Sequence, residues 1–424
     1  VLRLALEAVA RRHEALRTGF AMEGEEPVQV VRPDVDVPVT ALDLRRLPPA
    51  RRERDLAGMV ARFQDEPFDL AGGPLMRVLV AWLGPADYLM VVCVHHIVAD
   101  GWSLGILSRE LEASYAALAR GRAPALPELP IQYADFAVWQ RELLSGEALE
   151  VELAHWRERL ADLPALDLPT DRPRPPVQRH RGADLPFTVP APLVERLSQL
   201  GRAHGATLFM VALAAFEVVL ARWTGQEDLA VGAPIANRNR AEIEGLVGFF
   251  VNTLVLRVDV SGDPPFTELL ARVRRAALEG YAHQDLPFEK LVEELHPDRD
   301  LSRNPLVQVI FQLFEAAVPG VTALDAGVPL SSRTSLFDLR VDLAPGEAGL
   351  AGRIEYDADL FAPETVERLA DRYLLVLSQV ADDPGRSIGS YEIIPPREHR
   401  ALADWNRTAA PVPDALAHEL FEAR

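Results

Sequence analysis

The sequence predicts an α/β protein with mixed sheets, divided into more than one lobe. Short apolar, β-branched runs alternate with longer stretches whose apolar residues recur every three or four positions, the signature of strands mixed with helices. The chain has 424 residues, 49 % of them hydrophobic and 25 % charged, which is globular composition and enough length for more than one core. A stretch at 163–182 carries Pro164, Pro169, Pro173, Pro175 and Pro176 among several arginines and separates two halves of similar make-up.

The elements follow in order. Leu2, Leu6, Val9 and Leu16 share a face and predict a helix over 1–19, with Gly19 as its stop. Short strands are expected at 28–31 and 35–39, and a polar, Arg-rich helix at 49–65. Strands at 75–82 and 88–94 flank the turn Gly84-Pro85-Ala86-Asp87. Leu104, Leu107, Leu111, Tyr115 and Leu118 have helical spacing. After a Pro-rich loop at 120–130, Tyr133 opens a helical region that runs through Trp156. In the second half a helix is expected at 192–204. Thr207 is a good N-cap for a long apolar helix to Trp223. A strand at 228–233, a loop running into a strand at 248–258, a helix at 266–282 and a turn with a new helix at 283–291 come next. Strands at 307–313 and 353–356 and a helix at 363–380 complete the second half, and the tail begins at 395. There is no short-period repeat.

A net charge of −19 argues against nucleic acid and against an anionic membrane surface as partners, since both need basic patches. Cys93 is the single cysteine, so no disulfide framework or zinc cluster forms within one chain, and a reducing, cytoplasmic compartment is expected. The longest apolar stretch, 208–220, is interrupted by Glu217 and is too short to span a bilayer. The first residues lack the order of a signal peptide. The chain starts without Met and inside a helical pattern, as an excerpt from a longer polypeptide would.

The chemistry-bearing stretch is His95-His96-Ile97-Val98-Ala99-Asp100-Gly101-Trp102-Ser103, placed where the 88–94 strand leaves the core and the next helix begins. Histidine suits proton transfer near neutral pH. Three readings stand open on the residues alone. A metal site is disfavoured, because adjacent strand side chains point to opposite faces and no further ligand follows at helical spacing. A buried structural pair capped by Asp100 is the second. The third has one histidine facing a cavity as base while the other, with Asp100, shapes the turn.

This segment resembles the His-His-x-x-x-Asp-Gly signature of the condensation domains of nonribosomal peptide synthetases, relatives of chloramphenicol acetyltransferase. Other matches occur in family order. Arg12 to Phe20 resembles the Arg-His-Glu-x-Leu-Arg-Thr-x-Phe motif, and Tyr133 to Gln140 the Tyr-x-Asp-aromatic-Ala-x-Trp-Gln motif. Gly248 to Arg257, His283 to Leu291 and Arg303 to Gln312 resemble three more. The family's opening motif, which precedes the first helix, is missing. Leu336 stands where a lysine is common, so that strand is assigned no catalytic role.

The resemblance implies two chloramphenicol acetyltransferase-like lobes forming a V-shaped pseudo-dimer with a central tunnel. An N-terminal lobe would span 1–165, an inter-lobe linker 166–182, a C-terminal lobe 183–395, and a linker toward an adenylation domain 396–424. It implies peptide-bond formation between a carrier-bound acyl or peptidyl thioester and a carrier-bound aminoacyl acceptor, with an epimerization domain or a noncatalytic recruitment module as alternatives. The domain itself would bind no cofactor or metal. Its substrates would ride on the phosphopantetheine arms of upstream and downstream carrier domains, with an adenylation domain following in the same polypeptide. His96 matches the catalytic position. His95, Asp100 and Gly101 would be structural, Gly101 through close approach or positive φ, and Arg17 is the expected partner of Asp100. Asn252, Trp102 and Ser103 are candidates to face the tunnel. Arg238 and Arg240 read as a solvated face.

Overall fold

The computed structural model describes residues 1–33, 36–295, 300–314, 334–409 and 416–422. Helix α1 is Leu2–Arg12, shorter than its periodicity suggests. His13 leaves helical geometry, one 3₁₀ turn follows over Glu14–Arg17, and Gly19, expected as a helix stop, lies inside strand β1, Thr18–Glu23. The break has a cause: His13 is drawn out of the helix by partners on two other segments, described below. Strand β1 pairs antiparallel with β2, Glu26–Val31. Of the strand expected at 35–39 only Val39 is in one: residues 36–38 are irregular, β3 runs over Val39–Asp43, and residues 34–35 lie outside the described residues.

Helix α2, Pro49–Asp65, crosses from β3 to the parallel strand β4, Met76–Trp82, and β5, Tyr88–Val94, closes a three-stranded sheet antiparallel to β4. Leu56, Val60 and Phe63 of α2 bury one face of this sheet against Leu79 and Ala81. On the other face lies α3, Gly101–Ala119, which packs with α1 over Met76 and Val78. Two helices follow, α4 at Tyr133–Leu143 and α5 at Gly146–Arg159, where the sequence suggested a single region.

The second lobe is built on a six-stranded sheet of order β6-β11-β10-β9-β7-β8. Strand β6, Gly182–Pro190, leads into α6, Ala191–Ala203, and α7, Leu208–Thr224. The Thr207 hydroxyl accepts from the Met210 amide, as its N-cap role requires. Strand β7, Asp228–Ile235, is followed by the short helix α8, Ala241–Glu244, and by β8, Asn252–Asp259, its antiparallel neighbour. Then come α9, Phe266–Ala282; α10, Phe288–Leu295; β9, Val309–Leu313; β10, Leu339–Gly346; β11, Gly349–Asp357; and α11, Pro363–Asp382. The tail holds α12, Pro396–Trp405, and α13, Ala417–Glu422.

The lobes repeat one arrangement. Strand β3 is parallel to β4, β4 antiparallel to β5, and α3 follows; β9 is parallel to β10, β10 antiparallel to β11, and α11 follows. The His95–Asp100 turn therefore occupies in the first lobe the place that residues 358–362 occupy in the second. This repetition is what a pseudo-dimer of related lobes would show.

The expected linker is no free tether. Leu153, Trp156 and Leu160 of the α5 region, with Leu166 and Leu168, are buried in the core of the second lobe, so the chain joins that lobe at α5. Beyond them Arg172 donates to the carbonyls of Ala358 and Phe361, and Arg174 forks onto the buried Asp338 carboxylate. Proline fixes the path of this strap and arginines fasten it.

No single helix among the described residues is long and apolar enough to cross a membrane. Helix α7 is apolar all round because sheet and helices enclose it, and residues Met210 to Leu220 are all buried. Among them Glu217 is fully enclosed with both carboxyl oxygens unpartnered, and burial holds its pKa well above the ordinary carboxylate range. The folded chain thus keeps a proton that the unfolded chain releases near pH 4.5. Stability is full below that value and falls as the pH rises through it, because the unfolded state alone gains by ionising. Glu217→Met is expected to stabilise the fold, by about 1–3 kcal/mol in mild acid from the lone polar group removed and by more in mild alkali, and so to raise the melting temperature. Calorimetry at both pH values checks this; an unchanged or lower melting temperature would reveal a partner for the carboxyl.

Candidate active site

Strand β5 ends at Val94, and the chain turns through His95 and a 3₁₀ turn, His96–Val98, before Asp100 caps α3. The His95 amide donates to the Leu75 carbonyl at the neighbouring strand end, and the His95 Nδ1 accepts from the Ile97 amide at 3.1 Å. The imidazole thus braces its own turn. Its ring meets Phe68 edge-on, and burial first, then the neighbouring His96, pulls its pKa down. A neutral His95 with Nδ1 free of its proton fits that bond.

His96 differs in exposure and in hydrogen bonding. Its side chain is exposed, and among the described residues no protein group hydrogen-bonds to its ring. Both ring nitrogens are therefore open to a substrate. Its neighbour is Phe249 of the second lobe, edge-on with ring centroids 5.0 Å apart. No carboxylate among the described residues orients this imidazole, which sets it apart from a Ser-His-Asp arrangement. Among the described residues no cluster of three His, Cys, Asp or Glu side chains is arranged to hold a metal.

The carboxylate of Asp100 is fully occupied elsewhere. Its Oδ1 caps α3 by accepting from the Ser103 amide at 2.8 Å and lies 2.7 Å from the Ser103 hydroxyl. Its Oδ2 accepts from the Phe250 amide at 3.0 Å. Its ion-pair partner is Arg238, at 3.1 Å, with side chains only 1 % and 2 % exposed. This corrects the expectation for Arg17. The Arg17 guanidinium bonds Glu14 and the Arg32 carbonyl and lines a cavity of about 490 Å³ beside β2 that no residue of the histidine turn borders. Arg238 is no solvated residue either. It donates to the carbonyls of Ile243 and Leu246 and sits 4.1 Å from the Phe250 ring centroid. Burial lowers its pKa while Asp100 works in the opposite direction. Arg240 stacks on Trp139 at 4.4 Å.

Arg238 belongs to residues 236–251, which leave the second sheet at the end of β7, lie against the first lobe and return at β8. Asn237, in left-handed geometry at φ 52°, starts the excursion. The first lobe holds the returning backbone residue by residue. The Val247 amide donates to His13 Nδ1 at 3.3 Å, which leaves His13 Nε2 to donate to Glu110 at 2.8 Å. The Gly248 amide donates to the Ser103 hydroxyl, and the Tyr133 hydroxyl donates to the Phe249 carbonyl at 2.9 Å. Burial, with Asp100 nearby, pushes the Tyr133 pKa up to about 12, so this donor keeps its proton. Gly248 is required by space: a Cβ there would fall 2.3 Å from the Tyr133 ring.

Other expectations change. Ser103 is completely buried in this junction and faces no open space. Trp102 is half exposed and donates from Nε1 to the Glu244 carbonyl across the lobes. Asn252 is buried with all four valences used: its amide group donates to the carbonyls of Gln284 and Leu286, and its oxygen accepts from the amides of Thr253 and Phe288. It ties down the 283–288 turn. Gly101 has open space at its Cβ position and no positive φ; it is simply the first residue of α3.

Two lobes on repeated mixed sheets, locked around one exposed histidine that follows a strand, define a chloramphenicol acetyltransferase-like architecture. The family model for the condensation domain matches residues 1–403. The chain is 45 % identical to one of the linear gramicidin synthase proteins of Brevibacillus parabrevis over 99 % of its own length but only 8 % of that protein's. It is 42 % identical to phosphinothricin tripeptide synthetase PhsC of Streptomyces viridochromogenes over 98 % of this chain and 39 % of the other. Among solved structures, the X-domain from teicoplanin biosynthesis superposes with a TM-score of 0.82 at 30 % identity, covering 93 % of this chain and 89 % of that one. The chain belongs to the condensation-domain family.

Proposed function

We propose that this chain forms the peptide bond between an acyl or peptidyl thioester on one carrier domain and the amine of an aminoacyl thioester on the next. The single observation that carries this is His96: an exposed imidazole, free of hydrogen bonds to the described residues, on a turn whose Asp100 and Ser103 side chains are fully occupied. Thioester aminolysis needs a neutral amine aligned on the thioester carbonyl. His96 accepts the proton of the attacking amine or orients that amine, and the thiol leaves as the tetrahedral adduct collapses. The domain contributes residues and alignment. The phosphopantetheine arms of the upstream and downstream carriers bring both substrates to a tunnel between the lobes. An adenylation domain follows through the 396–424 linker, where Trp405 is 73 % exposed, and the whole works in the cytoplasm.

A second reading has one observation in its favour: a solved X-domain similar to this chain, with a TM-score of 0.81 and 31 % identity, was captured in complex with OxyB from teicoplanin biosynthesis. A chain of that kind would dock a tailoring enzyme and make no bond. The intact histidine turn favours catalysis. Loading both carriers and analysing the products by mass spectrometry separates the readings. An amide joining the two cargoes supports condensation. An acceptor of unchanged mass and inverted configuration would mean epimerization. Capture of a tailoring enzyme with no change in either cargo would mean docking.

A further inference from the structure

Phe249 sits in a tightly held stretch yet is itself left loose from the core. Its neighbours Val247, Gly248 and Phe250 are buried, whereas Phe249 is half buried and belongs to none of the apolar clusters formed by the described residues. The backbone on either side is fastened to the first lobe through His13, Ser103, Tyr133 and Asp100. A large apolar ring kept out of every core, on a backbone this constrained, has no packing role to account for it. What it does meet is the His96 imidazole, perpendicular to it at a centroid distance of 5.0 Å.

We infer that Phe249 is a positioning residue supplied by the second lobe, which holds the His96 ring in the orientation that presents a nitrogen to the attacking amine. The inference rests on the reading of His96 as the reacting residue. His96 follows a strand end and has no hydrogen-bonding partner among the described residues to choose its rotamer. Perpendicular aromatic contacts are directional, because the positive edge of one ring meets the negative face of the other, and they select one ring orientation. The hydrogen bond of Tyr133 to the Phe249 carbonyl sets where the ring is placed. The orientation of the reacting histidine in the first lobe therefore depends on the seating of residues 236–251 from the second. Movement between the lobes would disturb His96 before it disturbed either core.

The test compares Phe249→Leu, which keeps apolar volume and loses the ring, with Phe249→Tyr, which keeps the ring, in amide formation between two loaded carriers, with His96→Ala in parallel. Phe249→Leu is expected to lower kcat by about three- to tenfold with KM for the acceptor carrier unchanged, and Phe249→Tyr to restore it. In the NMR spectrum the His96 ring-proton resonances are expected to shift in Phe249→Leu, as the ring current is removed, and to stay in Phe249→Tyr. If Phe249→Leu keeps the parent kcat while His96→Ala is inactive, the positioning role is wrong and the reading of His96 stands. If His96→Ala is itself fully active, both are wrong. A rise in KM alone would make Phe249 a substrate contact and would equally overturn the inference.

Discussion

His96→Ala is expected to reduce amide formation by about 10²–10⁴-fold, the range supplied by a positioned general base, with an unaltered melting curve. The second half of that expectation follows from the site. The His96 side chain is exposed and hydrogen-bonds to none of the described residues, so truncation leaves no buried group unpartnered and no cavity. Rate and stability should separate cleanly. His95→Ala should behave differently, since its Nδ1 carries the Ile97 amide and its ring packs on Phe68. A two-carrier assay paired with calorimetry checks both halves; full activity in His96→Ala would sink the assignment of the reacting residue.

Arg238→Ala carries the largest expected loss of stability. It strands the Asp100 carboxylate in a site where both side chains are all but inaccessible to water. Breaking a buried pair on one side costs about 3–5 kcal/mol, because the remaining charge keeps its desolvation penalty without its partner. The Ile243 and Leu246 carbonyls lose their donor in the same step. Asp100→Ala should be comparably harmful, since the α3 cap and the Phe250 contact go with the charge. Arg17→Ala provides the control. Its pair with Glu14 is partly exposed, so only about 0–1 kcal/mol is at stake. Chemical denaturation of the three variants measures the difference, and an Arg238→Ala chain as stable as Arg17→Ala would refute the junction.

The histidine turn was legible because its signals are local. An uncharged β-branched run feeds His95, and Leu104, Leu107 and Leu111 mark the following helix at once. Pairing across the lobes has no such signal. Asp100 and Arg238 lie 138 positions apart, and Arg238 sits in a segment without periodicity, where an arginine reads as solvated by default. Arg17 was the nearer cation within a matched motif, and proximity in sequence proved no guide. Strand β6 escaped for a different reason: Pro186 and Pro190 interrupt the strand pattern of Gly182–Pro190, yet proline is tolerated on the edge strand this turns out to be. Strand β10 was the more readable omission. Leu339, Val341 and Leu343 alternate with Arg340 and Asp342, and the polar residues in that alternation are partnered within the structure, Asp342 by Arg340 and Arg353.

Residues 236–251 have a consequence for inheritance. The histidine turn, encoded near the start of the chain, is completed by side chains and amides encoded well over a hundred codons later, with the proline-rich strap between them. A hybrid joined within that strap would take its histidines from one parent and their scaffold from another, and both halves would fold on intact cores. The mismatch would surface where the crossing segment meets the first lobe, at His13, Asp100, Trp102, Ser103 and Tyr133 against Arg238 and residues 244–250. The unit of this fold that can be exchanged intact is therefore the pair of lobes together with their crossing segment, and a junction that ignores it would yield a chain whose two cores fold while the contacts around Asp100 and Arg238 are mismatched.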